Sequence, residues 1–165
     1  MIAGATETVA FGQRTVDVPA ASWVAAATAA RDERGLDCFD WLSAVDELDR
    51  FDVVLAVYSV SPLTRVRLRT RVDRDEPRLA SVTGVFAGAA WHERETHEMF
   101  GIDFDGHPGP APLLLPDGFS GHPLRKDFVL AARVAKAWPG EKEPGGVAAR
   151  RRVRPPGVPE GWADE

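Results

Sequence analysis

The chain has 165 residues, of which 44% are hydrophobic, and its 20 basic and 25 acidic residues give a formal net charge of −5. This length suits one domain with a substantial core and argues against two full domains. Because an acidic chain lacks the overall basic field that holds proteins on phosphates, we expect no nucleic-acid partner.

The chain has a single cysteine, Cys38. One thiol excludes an intrachain disulfide, and it cannot by itself hold an iron–sulfur cluster or a cysteine-based zinc ion. The first ten residues lack the basic start and apolar core of a signal peptide, and no run approaches the roughly 20 apolar residues of a membrane span. We therefore expect no cofactor in this chain, and if the protein works at a membrane, other chains must anchor it.

The N-terminal segment predicts a strand followed by a helix. Residues 8–18 have the composition of a strand, and Pro19 marks the entry to the next element. Residues 20–34 are rich in alanine, which favours a helix, and Gly35 stands where a left-handed C-terminal cap is expected.

The middle of the chain predicts three strands. Residues 39–45 and 51–60 are apolar, contain valine and aromatic residues and are separated by a polar run, as in a β-hairpin. Residues 65–72 alternate arginine with Val, Leu or Thr, which predicts a strand with one buried and one cationic face. The cationic face is either an ordinary solvated surface or a patch that meets an acidic partner, and both interpretations stay open.

A second helix is predicted over residues 85–100, with Gly101 as its cap. Two pairs of charged residues stand four positions apart in this helix and can meet on one side of it. These pairs are Arg94 with Glu98 and Glu93 with His97.

Beyond Gly101 the periodicity ends, and ten prolines follow from Pro108 onward. Proline at this density leaves no room for a long helix or an interior strand. We predict an α/β (α+β) domain over residues 1–100 and an extended, irregular, partner-binding arm over residues 101–138, called the arm below. Residues 139–165 predict a Pro- and Gly-rich tail that is either disordered or anchored at its end by Trp162.

A search for catalytic constellations finds none. His92 and Glu93 begin a run similar to the zinc-protease helix, but Thr96 stands where that motif needs its second histidine. The chain also lacks a nucleophile elbow, a phosphate-cradling loop and a dinucleotide fingerprint. We expect no catalytic, cofactor-binding or metal-binding residue. A metal enzyme that uses His92, His97, His107 or His122 is the enzymatic alternative.

Residues 91–108 read WHERETHEMFGIDFDGHP. This run resembles the signature of the 30 kDa subunit family, the C-type subunit of respiratory complex I, the NADH:quinone oxidoreductase. The family pattern is Glu-Arg-Glu, two residues, an acid, two apolar residues and Gly, followed by Gly-His-Pro. The residues that match it are Glu93, Arg94, Glu95, Glu98, Met99, Phe100, Gly101, Gly106, His107 and Pro108.

A second block similar to the same family follows as GHPLRKDF. Its residues are Gly121, His122, Pro123, Leu124, Arg125, Lys126, Asp127 and Phe128. Three positions depart from the family pattern: His97 stands for an aromatic residue, Glu98 for aspartate, and residues 109–112 for a Leu-Arg-Arg-like run. These departures keep open a homologous subunit of a membrane-bound hydrogenase or of another modular dehydrogenase.

The resemblance implies a small mixed sheet with flanking helices and a structural subunit without catalytic activity of its own. It implies a place in the peripheral arm of a proton-translocating NADH:quinone oxidoreductase, on the cytoplasmic side of the cell membrane. The implied partners are the quinone-site subunit (D type) and iron–sulfur subunits (B and I types). Iron–sulfur clusters, FMN and quinone are then expected in partner subunits.

The residues of both blocks are expected to form the partner interface. We hypothesise that the arm wraps a neighbouring subunit and is ordered by it. On this hypothesis the amides of residues 101–165 exchange fast in the isolated chain. An adaptor module outside respiration, which binds through the arginine-lined strand, is the alternative from another class.

Overall fold

A computed structural model gives the fold, and the structure describes residues 3–129 and 156–159. The helices are a short 3-10 turn (Ala20–Ser22), α1 (Trp23–Asp32) and α2 (Ala89–Phe100). The strands are β1 (Thr6–Ala10), β2 (Gln13–Asp17), β3 (Cys38–Asp46), β4 (Arg50–Val60), β5 (Leu63–Asp73), β6 (Arg78–Ala80) and β7 (Asp103–Asp105).

The main sheet has five strands in the order β1-β2-β5-β4-β3. Neighbouring strands are antiparallel except for β2 and β5, which run parallel. Strands β6 and β7 form a separate parallel pair. The predicted α/β fold, a small mixed sheet with flanking helices, is confirmed.

The alternation along β5 is confirmed residue by residue. Val66, Leu68, Thr70 and Val72 are buried, whereas the arginines between them are exposed or half-buried on the opposite face. The predicted hairpin is also confirmed, because β3 and β4 pair in antiparallel register around a turn at residues 47–49. These three strands therefore follow directly from their hydrophobic pattern.

The single strand predicted over residues 8–18 is wrong. The chain turns at Phe11 and Gly12, whose φ angles are 51° and 72°, and β1 and β2 form a hairpin. A two-residue turn with two positive φ angles usually carries Asn-Gly or Asp-Gly. Phenylalanine in the first of these positions concealed the turn.

The two helices begin later than predicted. Residues 20–22 form a 3-10 turn, so that α1 starts at Trp23 rather than at residue 20. Residues 82–88 form tight turns, in which Val85 and Phe86 both donate to the carbonyl of Val82, and α2 starts at Ala89 rather than at residue 85. Both predicted helix ends lie within two residues of the observed ones.

The core lies between the sheet and the two helices. Trp23 from α1, Leu42 from β3 and Phe51 and Leu55 from β4 are fully buried there. Ile102 is also fully buried, so the packed unit includes the start of the arm and β7. Within the described residues, the helices are too short or too polar to cross a bilayer.

Candidate functional site

The signature residues lie on α2 and on the segment that folds back over its C-terminal end. Gly101 ends α2 in the left-handed conformation, with a φ of 74°, and its N–H donates to the His97 carbonyl at 2.7 Å. A Cβ at this position would lie 2.5 Å from Nε2 of His122 and 2.6 Å from a terminal nitrogen of Arg125. Glycine is therefore required both for the turn and for the approach of the second block.

Glu98 holds one segment of the arm. Its residue is only 7% exposed, and its carboxylate accepts three backbone N–H groups. The donors are Leu113 at 2.9 Å, Leu114 at 2.8 Å and Leu115 at 3.2 Å. Hydrogen bonds to a carboxylate are stronger than those between neutral groups. This carboxylate therefore fixes residues 113–115, which belong to no helix or strand.

Arg94 binds the residues immediately before that segment. Its Nε donates to the Ala111 carbonyl at 2.6 Å, and a terminal nitrogen donates to the Pro112 carbonyl at 2.5 Å. The contact expected between Arg94 and Glu98 is thus replaced by contacts of both side chains with the backbone of the arm. These carbonyls lie in the run that departs from the family pattern.

The second expected pair, Glu93 with His97, is not formed either. Glu93 is fully buried, and its carboxylate accepts the hydroxyl of Ser81 and the N–H of Val82, both at 2.7 Å. Burial raises the pKa of the Glu93 carboxyl, although the two hydrogen bonds act in the opposite direction. Glu95 is half-buried and makes no side-chain hydrogen bond with the described residues.

The first Gly-His-Pro bend is tied to the start of α2. Nδ1 of His107 accepts the N–H of Gly109 at 3.0 Å, and Nε2 lies 3.0 Å from the Ala90 carbonyl. Because Nδ1 accepts, Nε2 carries the proton and donates it to that carbonyl. Gly106 precedes the bend with a φ of 85°, and Pro108 is exposed.

The second block satisfies the free carbonyls at the end of α2. An α-helix leaves its last four carbonyls without a partner inside the helix. The first of these, the His97 carbonyl, accepts from the N–H of Gly101. The Glu98 carbonyl accepts from Nδ1 of His122 at 2.8 Å, and the Met99 carbonyl accepts from the N–H of Leu124 at 3.1 Å. The Phe100 carbonyl accepts from Nε of Arg125 at 2.6 Å.

Aromatic contacts complete the attachment of this block. The Arg125 guanidinium lies 5.2 Å from the ring centre of Phe51, a core residue of β4. The ring of Phe128 is stacked on Phe119 with centroids 6.2 Å apart. A Cβ at Gly121, whose φ is 97°, would lie 2.9 Å from the Phe128 ring. The bend therefore needs glycine at this position too.

Asp46 is a site residue that the sequence did not reveal. Its carboxylate accepts from Arg74 at 2.7 Å, from the Lys126 N–H at 2.9 Å and from the Leu48 N–H at 2.8 Å. Burial alone raises the pKa of the Asp46 carboxyl, but these hydrogen bonds outweigh it and lower the pKa to about 2. Arg74 also pairs with Asp127 at 2.9 Å, so this cluster joins the end of β3 to the arm.

The four histidines all lie beside backbone carbonyls. In residues 3–129 and 156–159, no three His, Cys, Asp or Glu side chains are gathered as metal ligands. Cys38 is a half-buried free thiol whose pKa is raised by burial and by the nearby Asp37. The carbonyl partners are Leu42 for His92, Ile102 for His97, Ala90 for His107 and Glu98 for His122.

A cavity of about 320 Å³ lies beside α2 and β7. Its charged lining groups include Arg78, Glu93 and Arg94, each of which is bound by a neighbour within the chain. Asp105 pairs with Arg78 at 2.5 Å, and Asp103 lies 3.2 Å from His97. The cavity is therefore a gap between braced elements rather than a set of free ligand-binding groups.

A family model described as the respiratory-chain NADH dehydrogenase 30 kDa subunit matches residues 16–134. The chain belongs to this 30 kDa subunit family. It is 44% identical over 132 residues to the C-type subunit of the NADH-quinone oxidoreductase of Caulobacter vibrioides, with 76% of this chain and 66% of that protein covered. It is 40% identical over 129 residues to the corresponding subunit of Phenylobacterium zucineum, with 76% and 61% covered. The chain thus spans about two thirds or less of the length of these relatives.

Two solved structures share the fold. The first is a trypsin-resistant fragment (1–134) of Nqo5, 27% identical, with a TM-score of 0.58 and with 64% of this chain and 89% of that chain covered. The second belongs to the membrane-bound sulfane sulfur reductase, an archaeal respiratory membrane complex. It is 26% identical, with a TM-score of 0.65 and with 78% and 79% covered.

The structure brings the two predicted blocks of the 30 kDa subunit signature together. Within the described residues their charged groups bind mainly this chain's own backbone, which the sequence did not indicate. Their role as a partner interface stays a prediction. The end of the predicted arm, residues 130–138, and the predicted terminal anchor Trp162 lie outside the described residues.

Proposed function

We propose that this chain is a non-catalytic structural subunit of the peripheral arm of a proton-translocating NADH:quinone oxidoreductase. It docks there against the quinone-site subunit (D type) and iron–sulfur subunits (B and I types), and supports electron transfer from NADH to quinone through cofactors that partner subunits hold. The observation that supports this most directly is the family match over residues 16–134.

The surface of the arm supports a docking role. Because Arg94 and Glu98 bind backbone groups of their own chain, the arm is braced, and several of its apolar side chains remain exposed. Leu114, Leu124 and Val129 are 56%, 54% and 68% exposed, and Trp91 on α2 is 70% exposed. Exposed apolar groups on one segment are typical of a surface that another protein covers.

The proposed location is the cytoplasmic side of the cell membrane. The subunit is peripheral there, held through its partner subunits. This is compatible with the lack of a membrane-crossing helix in the described part of the chain.

Affinity purification of the tagged full chain from its native membranes tests the proposal. We expect D-, B- and I-type subunits in the eluate, together with NADH:quinone activity that the purified chain alone lacks. Leu114→Asp should reduce the recovered partners, whereas Leu48→Asp, at a slightly more exposed leucine on the β3–β4 turn, should not. Recovery of a lone monomer, or turnover of a substrate by the purified chain, would contradict the proposal.

A homologous subunit of another modular respiratory complex is the second candidate. The observation that favours it is the likeness, at a TM-score of 0.65, to a chain of an archaeal membrane-bound sulfane sulfur reductase. The same purification separates the two candidates, because the electron-input subunits in the eluate differ between an NADH dehydrogenase and any other complex.

A further inference from the structure

The face of the main sheet opposite the core carries a second chemical pattern. Side chains that are direct neighbours on adjacent strands point to the same face. On this face Tyr58 lies beside Arg65, and Arg67 lies beside Ala56, which in turn lies beside Trp41. Trp41 and Tyr58 are half-buried, whereas both arginines are exposed.

Arg69, the next arginine along this face of β5, is already neutralised. Arg69 pairs with Asp17 at 2.6 Å and with Asp52 at 3.9 Å, and Arg50 approaches Asp52 at 2.9 Å. The carboxylates of Asp17 and Asp52 therefore bind Arg69 and Arg50, and neither forms an ion pair with Arg65 or Arg67.

Arg65 and Arg67 have no such compensation. Neither forms an ion pair with a carboxylate of residues 3–129 or 156–159. The Arg67 guanidinium lies 6.0 Å from the centre of the Trp41 ring. The exposed carboxylates at this end of the sheet, Asp37 and Asp40, lie at the edge on or next to β3. We call Trp41, Tyr58, Arg65 and Arg67 the arginine–aromatic patch.

Apolar side chains extend the patch at the adjoining turn. Val60 and Leu63, at the two sides of the β4–β5 turn, are 70% and 68% exposed. The register of β2 on β5 places the β1–β2 turn, with its fully exposed Phe11, at the same end of the sheet. Cationic, aromatic and aliphatic groups thus meet on one surface that the described part of the chain leaves open.

We propose that the arginine–aromatic patch is a docking surface for an acidic surface of a neighbouring protein subunit, separate from the arm. Arginine, tryptophan and tyrosine are the side chains that most often dominate protein–protein binding energy. The guanidinium fork matches carboxylates in two-bond geometry, and two uncompensated arginines in a chain of net charge −5 give the patch its complementary charge. A sheet face whose aromatic rings are half-buried suits a protein surface better than insertion into lipid.

The proposal depends on the proposed function only for the identity of the neighbour. The test uses the tagged full chain in native membranes, with Arg65→Glu/Arg67→Glu, Arg67→Glu and a matched control, Arg34→Glu. Arg34 is exposed and follows α1, which packs on the core side of the sheet, opposite the patch. A photo-crosslinking residue at Leu63, which is exposed on the same face of β5 as Arg65 and Arg67, identifies the neighbour of the patch.

We expect the double reversal to lower recovery of the crosslinked neighbour by roughly tenfold. Arg67→Glu should have a smaller effect, and Arg34→Glu should match the unaltered chain. The crosslinked peptide should be rich in Asp and Glu. Binding of the unaltered chain should weaken as salt is raised, because the contact is between opposite charges.

The inference is overturned if the double reversal leaves the recovery of every partner undiminished. It is also overturned if the patch supports binding only to vesicles of anionic lipid or to RNA. If respiratory subunits are recovered equally with and without the patch arginines, this inference is wrong and the proposed function stands. If the patch arginines are needed to recover an acidic protein that belongs to no respiratory complex, the proposed function is wrong and this inference stands. Recovery of no partner at all defeats both.

Discussion

At the scale of single residues, Glu98 and Asp46 have the same structural role, which is to bind the backbone of the arm. Each is a buried carboxylate that accepts three donors, among them backbone N–H groups of the arm. A buried charge is tolerated only where hydrogen bonds replace its hydration, so each carboxylate and the segment it holds depend on each other.

Glu98→Ala should lower the free energy of unfolding by about 2 kcal/mol, because three backbone donors lose a charged acceptor. The control is Glu95→Ala on the same helix, which removes a half-buried carboxylate without side-chain hydrogen bonds to the described residues and should cost about 0.5 kcal/mol or less. Urea unfolding of the two variants measures the difference. Equal unfolding midpoints would show that the carboxylate does not hold the arm.

Asp46 predicts a specific loss of stability in acid. Its folded pKa is lowered from 3.8 to about 2, so its contribution is fully present above about pH 4 and is lost as the pH falls towards 2. That contribution is about 2 kcal/mol. Urea unfolding of the native chain and of Asp46→Asn should therefore differ most near neutral pH and converge near pH 2. A constant difference between pH 6 and pH 2 would rule out this linkage.

The two carboxylates also differ in how far sequence could reveal them. Glu98 was found through its place in a family motif, although its partners were not. Asp46 is one acid in a polar turn, and its partner Lys126 lies 80 residues further along the chain. No local pattern signals such a contact, because it arises only when the arm folds back.

At the scale of elements, a helix or strand could be predicted from the sequence only where its hydrophobic residues repeat with a clear period. The alternation in β5 and the apolar runs of β3 and β4 gave correct strands. Strands β6 and β7, with three residues each, are too short to show a period, and they were missed. The β1–β2 turn was missed because its first residue, Phe11, is not typical of a turn with positive φ.

The cap of α2 gives a prediction at this scale. Gly101→Ala should cost more stability than Gly35→Ala, a matched change at a φ of 65° with no atom within 4 Å of the new Cβ. The strain of a left-handed alanine is common to both and is about 1 kcal/mol. Only at Gly101 must His122 and Arg125 also move, so trypsin should cleave after Arg125 and Lys126 faster in that variant. Equal stability and equal cleavage would contradict the packing described.

At the scale of the whole molecule, the chain combines a packed α/β unit with an arm folded onto it. The sequence-based hypothesis held that a neighbouring subunit orders the arm, and this stays a prediction for residues 130–138, outside the described part. For the described residues of the arm, the contacts to α2, Phe51 and Asp46 supply order from within the chain. On the proposed function, such a braced arm would lose less conformational entropy when its exposed apolar side chains bind a partner.

The two accounts of the arm disagree about the isolated chain, and amide hydrogen exchange distinguishes them most directly. We predict slowed exchange at Leu113, Leu114, Leu124 and Lys126 in the purified chain without any partner, because each N–H has an acceptor within the chain. Of these four amides, only Leu113 and Leu114 should lose their protection in Glu98→Ala. Exchange at the rate of an unstructured peptide at all four amides of the unaltered chain would contradict the account, and would mean that the arm is ordered only by a neighbour.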